Sequence, residues 1–165
     1  MKYLSIVAVM KDEAHNLQEW LDFHKGVGVE HFYLYDNEST DATNEIVKPY
    51  VESGDVSLFS TDMDMCQLAC YYNALTAFTD QSNWMAFIDL DEFLFSPKGD
   101  LCKELEKFES TAPGIAVNEV FFGSNGHLKH QKKGVLKSYT KRRKEIDKHI
   151  KSICQPRFTL CPGGN

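Results

Sequence analysis

Four short apolar runs, at residues 3–10, 31–35, 56–59 and 84–89, each give way to a polar cluster and then a helical stretch. That alternation constrains the fold more than any other feature. Runs of four to eight β-branched and aromatic residues read as buried strands. Between them, Leu17, Trp20, Leu21, Phe23 and His24 recur at helical spacing, with Asp12 as the expected cap and Gly26 and Gly28 as the stop. A second helix is expected from Ser39 or Thr40 to about Val51, a third over 67–78 and a fourth over 100–108, followed by a strand at 114–117. Strands alternating with helices of this length call for a mostly parallel sheet covered on both faces, an α/β fold. The 165 residues suit one domain.

In such a sheet, ligands bind at the carboxyl ends of the strands. Three polar clusters fall at predicted strand ends: Lys11-Asp12-Glu13, Asp36-Asn37 and Asp89-Leu90-Asp91-Glu92. Stability alone does not require acids and amides to gather on one edge. Alternation along a strand would place Asp89 and Asp91 on the same side. Two converging carboxylates suit a hard divalent cation, Mg²⁺ or Mn²⁺, which can also hold a diphosphate. No glycine-rich dinucleotide fingerprint follows any strand and no P-loop is present, so a bound diphosphate would need a metal to neutralise it. Asp36 could accept hydrogen bonds from a base or ribose, or serve as a turn aspartate.

Charge is uneven. Residues 1–128 hold 7 Lys+Arg against 22 Asp+Glu, whereas residues 129–165 hold 11 against 2. The basic part reads either as a surface for anionic partners or as a segment folded back on the acidic part. Its stretch 129–151 is open between a loop with a hairpin and a frayed helix. No run approaches a membrane span, and the N-terminal apolar run reads as a first core strand and not a signal peptide. The five cysteines are irregularly spaced and fit thiols of a reducing cytosol better than a zinc site. The Phe121-Phe122 pair is expected in the core, as is His24 at its edge.

Together, Lys11-Asp12-Glu13-Ala14, Glu19-Trp20, His24 and Tyr35-Asp36-Asn37-Glu38-Ser39-Thr40-Asp41 resemble the opening of glycosyltransferase family 92 and its bacterial relatives. Trp84 through Phe93 is similar to that family's Trp-…-Asp-x-Asp-Glu-Phe segment, and Phe122-Gly123-Ser124-Asn125-Gly126-His127 to its Phe-Gly-Ser-x-Gly-His motif. Lys151-Ser152-Ile153 with Pro156 resembles a later Lys-x-Ile-x-x-Pro. The resemblance implies a GT-A fold, with a nucleotide-sugar-binding core at 1–128 and a basic acceptor-side segment of the same domain at 129–165. It implies that Asp36 contacts the nucleoside, that Lys11 and Glu13 line the nucleotide pocket, and that Asp89 and Asp91 manage metal and diphosphate. Glu92 would lie behind the metal ligands or face the acceptor, and the 122–127 segment would border the acceptor side. Glu119 stands where the family usually has an aromatic residue, and Gln155 where a basic one is common. The chain also stops where relatives continue with more acceptor-side structure, so a truncated acceptor side is expected.

The expected activity is transfer of a hexose from a nucleotide-diphosphate donor, a UDP-sugar first, to a glycan or glycolipid acceptor in polysaccharide biosynthesis. Mn²⁺ or Mg²⁺ would stabilise charge on the departing diphosphate as a Lewis acid. In an inverting enzyme a carboxylate takes the acceptor proton, with Asp62, Asp64, Glu92 and Glu119 as candidates. The expected location is cytoplasmic, with the basic segment peripheral to the inner face of a membrane. Two alternatives stand beside this. A metal-dependent phosphohydrolase would want its Asp-x-Asp-x-Thr after the first strand, whereas here the triplet follows the fourth and Phe93 fills the Thr position. A non-catalytic module could use the basic segment for anionic lipid or nucleic acid, but only Tyr139 and Phe158 interleave with its charges, so no nucleic acid is expected.

Overall fold

The computed structural model describes residues 1–160; Cys161 and the Pro162–Asn165 ending lie outside the described residues. Six strands form one sheet in the order β3-β2-β1-β4-β6-β5. These are β1 (Lys2–Met10), β2 (His31–Asp36), β3 (Val56–Ser60), β4 (Ser82–Phe87), β5 (Gly114–Asn118) and β6 (Ile150–Cys154). The β1–β2, β2–β3 and β1–β4 pairs are parallel, while β6 runs antiparallel to both β4 and β5. Five strands therefore point one way and β6 alone points back.

Strand alternation splits the core in two. Leu4, Ile6, Ala8 and Met10 of β1, with Phe32, Leu34, Trp84 and Ala86, face α1 (Leu17–Gly26), α2 (Thr43–Glu52) and α4 (Leu101–Glu106). Val7, Tyr33, Tyr35, Met85 and Phe87 face α3 (Gln67–Ala77) through Cys66, Cys70, Tyr71, Ala74 and Leu75. Both tryptophans are fully buried, and each such side chain withdraws enough apolar surface to contribute about 2–3 kcal/mol. Helix α1 ends at Gly26, and Gly28 just beyond it sits at φ +105 with Cys102 Sγ only 2.9 Å from where a Cβ would stand.

The first two loops differ from expectation. Asp12 does not cap α1. It lies at φ +55 and its Oδ1 accepts from the backbone N–H groups of Thr40 (2.7 Å) and Asp41 (3.3 Å). In return, Ser39 Oγ accepts from Asp12 N–H, Thr43 Oγ1 from Glu13 N–H, and Asp41 Oδ2 from Ala14 N–H. The loops after β1 and β2 are thus cross-braced, because their short polar side chains satisfy one another's backbone donors.

Strand β4 ends at Phe87, two residues before Asp89. The chain then turns, with Glu92 N–H donating to Asp89 O at 3.2 Å. Strict alternation therefore does not extend through Asp89 and Asp91.

Between β5 and β6, residues 119–149 form a two-limbed arm. Glu119 N–H donates to His149 O, Arg143 N–H to Phe121 O, and Gly123 N–H to Lys141 O. Of the two readings open for 129–151, the loop-and-hairpin form is found, with one helical turn, α5 (Val135–Ser138), near the tip. Phe121 and Phe122 are 45% and 51% exposed and not core, because they lie on the arm after β5 ends, where no layer of the described residues covers them. Glu19 of α1 holds the tip down: its Oε2 accepts from Val135 N–H at 2.5 Å and its Oε1 from Leu136 N–H at 3.4 Å, across 116 residues of sequence. Among the described residues, no helix is long and apolar enough to cross a membrane.

Candidate active site

Register brings distant residues to one edge. Phe87 pairs with Ser152, so Lys151 stands beside the segment that follows β4, and β5 delivers Glu119 one residue past its own end. Lys151 Nζ lies 2.6 Å from Asp89 Oδ2, 3.3 Å from Glu92 Oε1 and 3.9 Å from Glu119 Oε1. The lysine side chain is only 16% exposed. Burial works against its charge, yet Asp89 and Glu92 together outweigh burial and raise its pKa, so it stays an ammonium. Burial is the leading influence on Glu92 and raises its pKa, although the Asp89 backbone N–H and Lys151 pull the other way. A carboxylate raised in this manner is a better proton acceptor than an exposed one.

Asp89 is held from both sides. Its Oδ1 accepts from Gln67 Nε2 at 2.6 Å, and the other hydrogen of that amide reaches Tyr71 Oη at 3.0 Å. The turn after Asp89 is anchored from below by α1. Trp20 Nε1–H donates to Glu92 O at 2.8 Å, and Leu94 N–H donates to His24 Nε2 at 3.0 Å. His24 Nδ1 donates to Trp20 O, which fixes the tautomer. His24 is fully buried, as its place in the helical stripe leads one to expect.

Asp91 faces elsewhere. It is exposed, and its field reaches Glu13, whose pKa is raised by burial first and then by Asp91 and Asp41. Lys11 is exposed on the same loop. Asp36 is buried at the end of β2, where Oδ1 accepts from Ser39 N–H and Oδ2 from Asn44 Nδ2. The edge thus holds two neighbouring groups, Asp89 with Glu92, Glu119 and Lys151, and Asp91 with Glu13 and the braced loops. Asp62 and Asp64 lie exposed on the loop after β3, and among the described residues neither forms an ion pair. Gln155 makes a structural contact, its Nε2 donating to the carbonyls of Glu109 and Ala112.

The glycosyltransferase family 92 model matches residues 7–160. The chain belongs to that family. A family 92 protein of Oryza sativa subsp. japonica is 29% identical over 157 residues, which cover 93% of this chain and 27% of that protein. One from Arabidopsis thaliana is 27% identical over 165 residues, covering 93% and 28%. The chain therefore spans little more than a quarter of the curated relatives it matches. Among solved structures, S. aureus TarS 1-349 in complex with UDP superposes with a TM-score of 0.57 at 18% identity, covering 79% of this chain and 38% of that one. A 4-diphosphocytidyl-2C-methyl-D-erythritol synthase gives 0.58 at 11% identity, covering 94% and 76%. These likenesses establish the Rossmann-like GT-A type of α/β fold that the motifs imply.

Carboxylate oxygens are the ligands a divalent cation prefers, and on this family 92 edge the exposed carboxylate that would offer them is Asp91. Asp89 differs, since Gln67 and the Lys151 ammonium already engage both of its oxygens. Among the described residues, no three His, Cys, Asp or Glu side chains are gathered as a complete ligand set, so further ligands would come from the diphosphate. Lys151 and Gln67 were not singled out as site residues in the sequence. Only the Lys-x-Ile motif pointed toward Lys151.

Proposed function

We propose that this family 92 chain carries the donor-binding and catalytic edge of a glycosyltransferase that moves a hexose from a nucleotide-diphosphate sugar to a glycan or glycolipid. One observation carries the reading: Asp89, Glu92, Glu119 and Lys151 meet at the carboxyl edge of the sheet, beside the braced loops bearing Lys11, Glu13 and Asp36. That is where an open α/β sheet binds its ligand. Family membership favours transfer over the phosphohydrolase and the binding module. The UDP held by the structurally similar TarS supports a uridine donor.

In this reading the nucleoside lies against Asp36 and the loops after β1 and β2, with Lys11 and Glu13 lining its pocket. Asp91 would hold Mn²⁺ or Mg²⁺, with Asp89 beside it, and the bound ion would supply Lewis-acid stabilisation of the diphosphate. The acceptor oxygen attacks the anomeric carbon as the bond to the diphosphate breaks, and the electron pair leaves with the diphosphate. The acceptor's proton passes to Glu92, whose burial raises its basicity, or to Glu119 beside it. A single displacement of this kind inverts the anomeric centre. Lys151 keeps the three carboxylates together and Asp89 in place. The core at 1–128 would hold the donor, and the acceptor would approach on the side of the basic segment 129–165.

The test is UDP release from UDP-glucose, UDP-galactose and UDP-N-acetylglucosamine with Mn²⁺ present. Turnover of one of them that a chelator abolishes supports the reading. No turnover and no UDP binding, by a protein that is folded, would overturn it.

A further inference from the structure

The two limbs of the arm border an open groove of ≈ 580 Å³ lined by Phe121, Phe122, Gly123, Lys141, Arg142 and Arg143. That volume lies in the range of small-ligand sites. Two phenylalanine rings are about half exposed there, and no carboxylate lines the groove. Arg142 Nη1 donates to the carbonyls of Arg143 (2.9 Å) and Lys144 (3.5 Å), which pins that guanidinium to the arm. Among the described residues, Lys141 and Arg143 pair with no acid. Of the arm's three acids, Glu119 is turned to Lys151 and Asp147 to His149, while Glu145 is exposed and does not line the groove. The groove thus combines apolar ring faces with positive charge left uncompensated.

Its place adds a second constraint. Phe121 is two residues from Glu119, a chain distance of at most about 7 Å, and Glu119 sits 3.9 Å from Lys151. The groove therefore begins within about 7 Å of backbone from Glu119, one of the two carboxylates that would take the acceptor's proton. Proximity to the reacting edge favours a reaction partner over a membrane surface. The apolar face of a pyranose ring stacks on an aromatic side chain, and a carboxylate or phosphate on the sugar would meet the guanidinium and ammonium groups.

We infer that this groove is the acceptor subsite and that it selects saccharides bearing a carboxylate or phosphate. The inference rests on the glycosyltransferase reading and adds to it the chemical class of the acceptor. Anionic charge on a soluble oligosaccharide and on a glycolipid head group would be read by the same residues.

Calorimetric titration of the whole chain with trigalacturonate, with neutral galactotriose and with phosphatidylglycerol vesicles tests it. Trigalacturonate is expected to bind, and galactotriose to bind about tenfold more weakly. Phe121→Ala and Arg143→Gln should each weaken trigalacturonate about fivefold, while Lys132→Gln/Lys133→Gln, at the arm tip and outside the groove, should leave it unchanged. Equal affinity for the neutral sugar, an equal loss in the tip variant, or binding to vesicles alone would overturn the inference. UDP binding, measured in the same samples, separates the two claims. UDP binding without trigalacturonate binding overturns the groove's role and leaves the transferase reading intact. Trigalacturonate binding lost in Arg143→Gln, in a chain that ignores UDP, supports the groove and removes the transferase reading.

Discussion

Lys151 Nζ sits 2.6 Å from Asp89 Oδ2, joining residues 62 apart in sequence at the junction of β4 and β6. The ammonium also faces Glu92 and Glu119, so one positive charge holds three acids together. Removing one partner of a buried pair leaves the others uncompensated, which costs more than the pair is worth.

Lys151→Met is therefore expected to lower stability at neutral pH by about 1–3 kcal/mol, below the figure for a fully buried pair because Asp89 is partly exposed. Lys151→Arg should lose less. Urea denaturation of the three proteins gives the comparison, and the deficit should shrink as pH falls far enough to protonate the acids. A deficit that is unchanged in acid would show that packing, and not charge, is what Lys151 contributes.

His24 makes a prediction with a definite sign. Burial lowers its pKa from 6.5 to about 4. The folded state therefore binds fewer protons than the unfolded state between those values, and stability rises with pH there. The contribution is complete above about pH 6.5 and is lost as pH falls toward 4, a change on the order of 3 kcal/mol. His24→Leu also orphans the Leu94 N–H, for about 1–3 kcal/mol at pH 7. The difference in unfolding free energy between wild type and this variant, followed from pH 7.5 to about 4.5, should narrow as the pH falls. A constant difference would contradict a neutral, buried His24.

Gly134 is the hinge of the Glu19 clamp. It lies at φ +87, and a Cβ there would stand 2.6 Å from both carboxylate oxygens of Glu19. Gly134→Ala should cost about 1 kcal/mol in backbone strain and release the arm tip. Trypsin cleavage between Lys129 and Lys148 should become faster in Gly134→Ala and in Glu19→Ala alike. Unchanged cleavage in both would mean that the arm is held by something other than this clamp.

The two proton-acceptor candidates separate by rate. Whichever of Glu92→Gln and Glu119→Gln removes the base should slow sugar transfer by about 10²–10⁴-fold, with UDP affinity little changed. Parallel losses in rate and affinity would assign both to positioning.

The parallel half of the sheet was legible because β1, β2 and β4 are long apolar runs flanked by helices with a clear 3.6-residue stripe, as with Leu17, Trp20, Leu21 and His24. Strand β6 was not, since Ile150-Lys151-Ser152-Ile153-Cys154 is short, half polar and set by its two antiparallel neighbours. For the same reason the sequence gives no local sign that Lys151 meets Asp89; that contact is tertiary. Asp12 misled because an aspartate ahead of a helix looks like a cap, whereas here its carboxylate serves the loop at Thr40. Phe121 and Phe122 misled in the opposite sense, since two adjacent aromatics read as core unless the chain beyond β5 is known to leave the sheet.

The most direct test of the donor site is the thermal midpoint of wild type and Asp91→Asn with UDP, in Mn²⁺ and in chelator. The account predicts that UDP with Mn²⁺ raises the wild-type midpoint by about 5 °C or more, that chelator removes the rise, and that Asp91→Asn loses most of it. Equal stabilisation by UDP with and without the cation, or a full Mn²⁺ effect in Asp91→Asn, would contradict it.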